Sequence, residues 1–355
     1  MLDGLRDYVT PIVLFSQDGL TPQVFRDANF ETWIHPFTYV WQESEHNLLK
    51  LLRHPKRHIL YQWHHTDSTC VKYVTEKLAG RRLALVHSNT SVVTIGATIS
   101  KTFNVPHVWH IREFQDKDFG INPFMGKAWL KHLISKADAL IFISHAVKEH
   151  WNIKAPNSHV IRNVIVNNGK PIITTPKEKY FLYCAAQVRE SKGASLAVRA
   201  FCQTGLSKQG YSLVLLGICD DEYREKLIKI AEENNTDPSC LKFLGYQRDV
   251  SHFFSEASAF LMCSVCEGLG RVTIEAMYYG CPVIAFASGG TLEIVSNNQT
   301  GHLFYDNDEL VRKMKEVVQN DQLPLLKNAQ NYAINNYTAE SIIPNIVTIY
   351  NNLLR

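Results

Sequence analysis

The chain is predicted to be an α/β protein of two doubly wound domains in tandem, on three observations. Short apolar runs alternate with helix-like stretches along its 355 residues, as in parallel sheets covered by helices. That length suits two domains. The alternation breaks near the middle at Asn167-Asn-Gly-Lys-Pro171 and a polar run to Lys179, a cluster of turn formers that marks a linker. The boundaries that follow are 1–168, 169–336, and a terminal helix over 337–355.

In the first half, Pro11-Ile-Val-Leu-Phe-Ser reads as a strand. Leu83-Ala-Leu-Val-His-Ser, Val105-Pro-His-Val-Trp-His-Ile and Ala139-Leu-Ile-Phe-Ile-Ser follow as three more, each a short apolar run. Helical stretches fill the gaps around 43–54, 69–79 and 92–102, and again from His145 to Trp151. The second half repeats the theme. Strands are expected at Tyr180–Ala185, Ser212–Gly217, Leu241–Gly245, Ala259–Met262 and Pro282–Phe286, and a last helix at about Ala339 to Leu354. That helix carries Ile342, Ile343, Ile346, Tyr350 and Leu353 at helical spacing.

Composition excludes several classes. With 45% hydrophobic and 20% charged residues, the chain has the make-up of an ordinary folded protein with an ample core. No apolar run approaches the roughly 20 residues needed to span a bilayer. Charges in Met1-Leu-Asp-Gly-Leu-Arg-Asp stand where a signal peptide needs an apolar core, and the eight cysteines lack a framework spacing, as in a reducing cytoplasm. Cys263-x-x-Cys266 reads as packing. Residues 1–169 hold 19 Lys+Arg against 14 Asp+Glu and residues 170–355 hold 18 against 20, so the net charges are +5 and −2. An excess of that size gives no reason to expect nucleic acid as a partner, although a mildly basic first half suits an anionic acceptor or lipid surface.

The chemistry concentrates in Ser264-Val-Cys-Glu267-Gly-Leu-Gly-Arg271-Val-Thr-Ile-Glu275. An apolar strand enters this loop and a helix leaves it, so it lies where open α/β sheets bind ligands. The loop Gly268-Leu269-Gly270 feeds a helix N-terminus, whose free N–H groups suit a phosphate. Glu267 in the loop and Glu275 about one turn into the helix can both face a ligand. Carboxylates beside a phosphate site make sense as acceptors from hydroxyls, which points to a sugar nucleotide. A solvated Glu275 and a helix-terminal Glu267 are the plainer explanation if either is taken alone.

The pattern resembles the acidic E-x7-E motif of retaining GT-B glycosyltransferases, glycosyltransferase family 4 above all, of the polysaccharide-building type. Gly289-Gly290-Thr-Leu-Glu293 and Asn298-Gln-Thr-Gly301 look like that family's next two blocks. The resemblance implies a GT-B fold, two Rossmann-like domains with the active site in the cleft between them, and a terminal helix returning to the first. It implies that Glu267 holds donor-sugar hydroxyls and Glu275 the ribose. Gln187-Val-Arg189-Glu-Ser-Lys192-Gly193 resembles the block whose basic residues neutralise the donor diphosphate; Lys192 matches directly. Ala186 and Gln187 stand where the family has glycine and arginine, which leaves Arg189 as the stand-in. Arg271 is a second candidate cation, or a surface arginine.

Trp109-His110-Ile-Arg112-Glu113 ends a strand of the first half and resembles the family's H-x-R-E. His110 is then expected near the reacting sugar, with Arg112 and Glu113 on the acceptor side. The implied activity is metal-independent, cofactor-free transfer of a hexosyl or related group, with retention, from a UDP- or GDP-sugar to a saccharide or lipid-linked acceptor. The cytoplasm is the expected place, with peripheral contact at the inner face of the cell membrane through Phe119–Lys136; core packing with a lysine outer face explains that segment equally well. The resemblance starts at about residue 8 and lacks the usual first strand and glycine-rich loop, so a truncated, non-catalytic sugar-nucleotide-binding or scaffold protein is the alternative. A GT-B epimerase would need more cleft histidines than His252 and His302 provide in the second half.

Overall fold

In the computed structural model, residues 1–39, 41–43, 56–123, 125–175 and 177–355 are described. They form two units, residues 1–161 with 343–355, and residues 162–342.

The second unit is built on six parallel strands: β9 (Tyr180–Gln187), β10 (Ser212–Ile218), β11 (Leu241–Gly245), β12 (Ala259–Met262), β13 (Val283–Phe286) and β14 (His302–Phe304). Their order in the sheet is β11-β10-β9-β12-β13-β14. Winding goes outward from β9 in one direction and from β12 in the other, so the order reverses between these two central strands, where a crevice opens at the strand ends. Strands buried on both faces need continuous apolar sequence. β12, Ala-Phe-Leu-Met, is buried at every position. Phe181, Tyr183, Leu213, Leu215 and Leu261 pack with Ala197, Phe201, Leu227 and Met314 from the covering helices.

In the first unit, β4 (Val86–Asn89), β5 (His107–Ile111), β7 (Ala139–Phe142) and β8 (Ser158–Val160) form a four-stranded parallel sheet. β1 (Ile12–Phe15) pairs in parallel with β2 (Glu31–Ile34), and β3 (Trp41–Glu43) is antiparallel to β6 (Ile121–Pro123). Ile12 and Leu14 of β1 and Val86 of β4 pack around the same helical cluster of Cys70, Val74, Ile95 and Ile99. Among the described residues no strand links β1 to β4.

Most expected elements are present, with shifted ends. The run starting at Leu83 forms a strand only from Val86, and the helix expected from 69 runs over Lys56–Leu78. The helix expected around 43–54 falls largely outside the described residues. Among the strands that were not anticipated are β2 and β14. Each is a short edge strand with a polar first residue, Glu31 or His302, and so lacks a long apolar run. The polar run read as a linker is fastened along the second unit. The Tyr278 hydroxyl donates to Asn167 Oδ1, Lys177 Nζ donates to the Ser255 and Gly280 carbonyls at 2.6 and 2.7 Å, and Gln330 donates to the Pro171 carbonyl at 2.8 Å.

The terminal helix, Ala339–Leu353, buries Ile342, Ile343, Ile346 and Tyr350. The Tyr350 hydroxyl meets His87 Nδ1 at 2.6 Å. Burial keeps His87, His107 and His110 uncharged: the first two are pushed down to about 4 and His110 well below its usual value. The unfolded chain takes up these protons near pH 6.5 and the folded one does not, so stability present above pH 6.5 is lost as the pH falls toward 4. A tenfold change in proton affinity corresponds to about 1.4 kcal/mol, so the shift at His107 alone is worth on the order of 3 kcal/mol. Urea midpoints of the first unit, followed by tryptophan fluorescence, are expected to drop between pH 6.5 and 4. In His107→Asn the drop should be visibly shallower.

Candidate functional site

β9 and β12 are neighbours, so the loops after them share the crevice at the order reversal. After β9, Glu190–Lys192 make a single 3-10 turn that ends at Gly193, whose φ of +74° is left-handed. A Cβ on Gly193 would fall well inside contact distance of the Cys263 carbonyl oxygen. Only glycine combines this backbone angle with that approach. The consequence is a contact between residues 75 positions apart: Lys192 Nζ donates to Glu267 Oε1 at 2.7 Å, with side chains 25% and 17% exposed.

The Glu267 loop is braced from β13. Gly290 N donates to the Glu267 carbonyl at 2.9 Å, and the Ser288 hydroxyl donates to the Val265 carbonyl at 2.7 Å. Side chains on Gly289 or Gly290 would strike the backbone of Glu267 or Gly268, so the two glycines serve the loop by having none. Leu269 is buried beneath it. Gly270, at φ +83°, turns the chain into the helix Arg271–Tyr278. Glu275 lies one turn in. Burial raises its carboxyl above the usual range, Arg271 opposing from 3.9 Å. Arg271 itself is 62% exposed, beside Glu275.

Arg189 opens the basic turn and bonds Gln187 Oε1 at 3.3 Å through Nη1, while its Nε is buried without a hydrogen-bond partner. Sequence reasoning passed over Glu190. Its Oε2 accepts from Ser195 Oγ (2.7 Å), Tyr223 OH (3.3 Å) and Lys226 Nζ (2.8 Å). This ties the turn to the helix Asp221–Glu233. Nothing in the run Arg-Glu-Ser-Lys-Gly marks partners 33 and 36 positions away. Tyr183 adds a second tie, its hydroxyl donating to the Lys192 carbonyl at 3.2 Å.

In the first unit His110 is fully buried on β5, its ring 5.6 Å from that of His87, and neither ring nitrogen has a hydrogen-bond partner. Arg112 Nη1 donates to Asn89 Oδ1 at 3.2 Å. Glu113 is buried and works on its own backbone surroundings: Oε1 accepts from Thr90 Oγ1, Ser91 N and Ser91 Oγ, each at 2.6 Å, and Oε2 accepts from Arg112 N at 3.1 Å. Such a carboxylate holds the loop after β4. Among the described residues no group of three or more His, Cys, Asp or Glu could hold a metal ion.

Residues 167–336 match the family model of glycosyl transferases group 1. The chain is 26% identical to an uncharacterized glycosyltransferase of Methanocaldococcus jannaschii over 67% of its own length and 66% of that protein. It is 22% identical to the lipopolysaccharide core biosynthesis mannosyltransferase LpcC of Rhizobium leguminosarum bv. viciae, over 70% and 78%. Among solved structures, Anabaena Alr3699/HepE in complex with UDP superposes with a TM-score of 0.79 at 19% identity, covering 99% of this chain and 95% of the other. The fold is therefore GT-B. The stretch that matches the family model covers most of the second unit, and the pair Lys192–Glu267 lies inside it.

Gly193→Ala is expected to lower the stability of the second unit by about 3 kcal/mol, combining a left-handed alanine with overpacking against backbone. Gly205 shares the left-handed angle but has open space around it, so Gly205→Ala should cost only about 1 kcal/mol. Thermal denaturation of the two variants checks the difference.

Proposed function

We propose that the chain is a retaining glycosyltransferase that moves a sugar from a UDP- or GDP-sugar to a saccharide or lipid-linked acceptor. The observation that carries this reading is the convergence of Lys192 and Glu267 on one crevice, with Glu275 a turn further along. A diphosphate needs the cation, and the hydroxyls of sugar and ribose need the two carboxylates. HepE has been solved with UDP-glucose, and LpcC is by its name a mannosyltransferase. Both favour a nucleotide-sugar donor.

In this reading Glu275 accepts hydrogen bonds from the ribose, and Glu267 from the donor sugar. Lys192, Arg189 and the N-terminus of the helix Arg271–Tyr278 stabilise the charge that develops as the diphosphate leaves, a role that fixed positive partners perform best. Transfer proceeds on the front face with the leaving phosphate assisting, and neither a metal nor another cofactor takes part. His110, uncharged at neutral pH, is assigned to the reacting sugar, and Arg112 and Glu113 to the acceptor side. Of the described helices none is long and apolar enough to cross a membrane. The exposed ring of Phe119 leads the segment to Lys136 that we assign to peripheral contact at the cytoplasmic membrane face.

One observation favours a second reading, binding without turnover. His110, expected beside the reacting sugar, is fully buried on β5, and neither of its ring nitrogens has a hydrogen-bond partner. Such a protein would bind donor and transfer poorly.

A thermal-shift panel of UDP-, GDP-, ADP- and dTDP-sugars decides between these outcomes. A ligand at about 100 times its Kd adds roughly 2.7 kcal/mol. We expect a shift with one uridine or guanosine donor that Glu275→Ala abolishes, followed by product whose anomeric proton coupling reports retention. Shift without turnover selects the binding protein, and a folded sample that shifts with no nucleotide sinks both readings.

A further inference from the structure

We infer that the Lys192–Glu267 ion pair is an exchange switch, through which the site holds an intact nucleotide-sugar more tightly than the nucleoside diphosphate left after transfer. The inference rests on the donor-site reading above and goes beyond it, since it concerns which of two ligands the same crevice prefers.

The two charges satisfy each other at 2.7 Å and are mostly withdrawn from water. A charge in that setting is costly to leave alone. An intact donor replaces both partners at once. Its diphosphate oxygens take Lys192, and its sugar hydroxyls donate to Glu267. A free nucleoside diphosphate replaces only one. It can draw Lys192 away and leave the Glu267 carboxylate without a donor, or it can leave the pair closed and forgo Lys192. Both choices weaken it.

The surrounding geometry suits a change of partner by side-chain rotation alone. The backbone of Lys192 is pinned by the Tyr183 hydroxyl on its carbonyl (3.2 Å) and by the approach of Gly193 to Cys263. Gly290 N on the Glu267 carbonyl (2.9 Å) pins the other side. Neither loop has to open. No covalent bond is made or broken in the exchange; a proton shared in one hydrogen bond is replaced by protons shared in others. When the sugar leaves for the acceptor, Glu267 loses its hydroxyl donors, recovers Lys192 and loosens the diphosphate. The same pair then assists product release, a step that limits turnover in many enzymes.

Calorimetric titration of Glu267→Gln, Lys192→Met and the double variant with UDP and with UDP-glucose tests this (GDP and GDP-mannose if the panel selects guanine). Glu267→Gln is expected to bind UDP about tenfold more tightly than the parent, and the preference for UDP-glucose over UDP should shrink toward unity. In the Lys192→Met background Glu267→Gln should leave UDP affinity unchanged, because no lysine remains to be released. Unchanged UDP affinity in the single variant, with UDP-glucose weakened, makes Glu267 a sugar contact only and overturns the switch. A tightening that persists without Lys192 is plain repulsion between carboxylate and phosphate, and also overturns it. If the folded parent binds neither ligand of either pair, the donor reading has failed, a result recognisably different from the other two.

Discussion

The site depends on one close approach of backbone to backbone. β9 and β12 lie side by side at the point where the winding of the sheet reverses, and Gly193 lets the turn after β9 rest against the carbonyl of Cys263 after β12. From that contact the rest follows. A cation and a carboxylate 75 positions apart become partners, and the glycine pair at 289–290 fits against the far side of the same loop. Short range is what gives these groups their effect, because an ion pair mostly shielded from water interacts far more strongly than one at the surface. By contrast Arg271 and Glu275 stand 3.9 Å apart, with the arginine largely exposed, and contribute little to holding the loop.

The two units handle burial of polar groups differently. The second compensates charge with charge at its crevice and ties the turn down through the hydrogen bonds that Glu190 accepts from Ser195, Tyr223 and Lys226. The first keeps its buried imidazoles neutral and gives one buried carboxylate, Glu113, to Thr90, Ser91 and the backbone of Arg112. Buried acids that accept several hydrogen bonds act mainly to position what surrounds them. An uncharged histidine without partners, as His110 is, keeps its hydrogen-bonding capacity unused.

The fold was largely legible in the sequence because strands buried on both faces must be apolar runs. Ala259–Met262, buried at every position, could be placed to the residue. Edge strands such as Glu31–Ile34 escaped, since a strand half open to solvent carries no such run. Glu267, Glu275 and Lys192 stood out by type and spacing within ordered blocks. The pairing of Lys192 with Glu267 did not, for it is a property of strand order and of the missing side chain at Gly193. Glu190 was overlooked for the same reason. The fastening of the loop at Thr90 and Ser91 by Glu113 was equally invisible, for these partners stand 22 and 23 positions away.

The bond between His87 and Tyr350 joins positions 263 residues apart in one unit. Residues 162–342 form an uninterrupted unit, whereas the other is closed by residues 343–355. Contacts at such separation form late, because a long loop must be closed before they repay its entropy. On a ribosome, where the chain emerges from its N-terminus, the unit begun first is thus finished last. Its β4–β5 face waits for the final helix, while the later-made unit can already have folded.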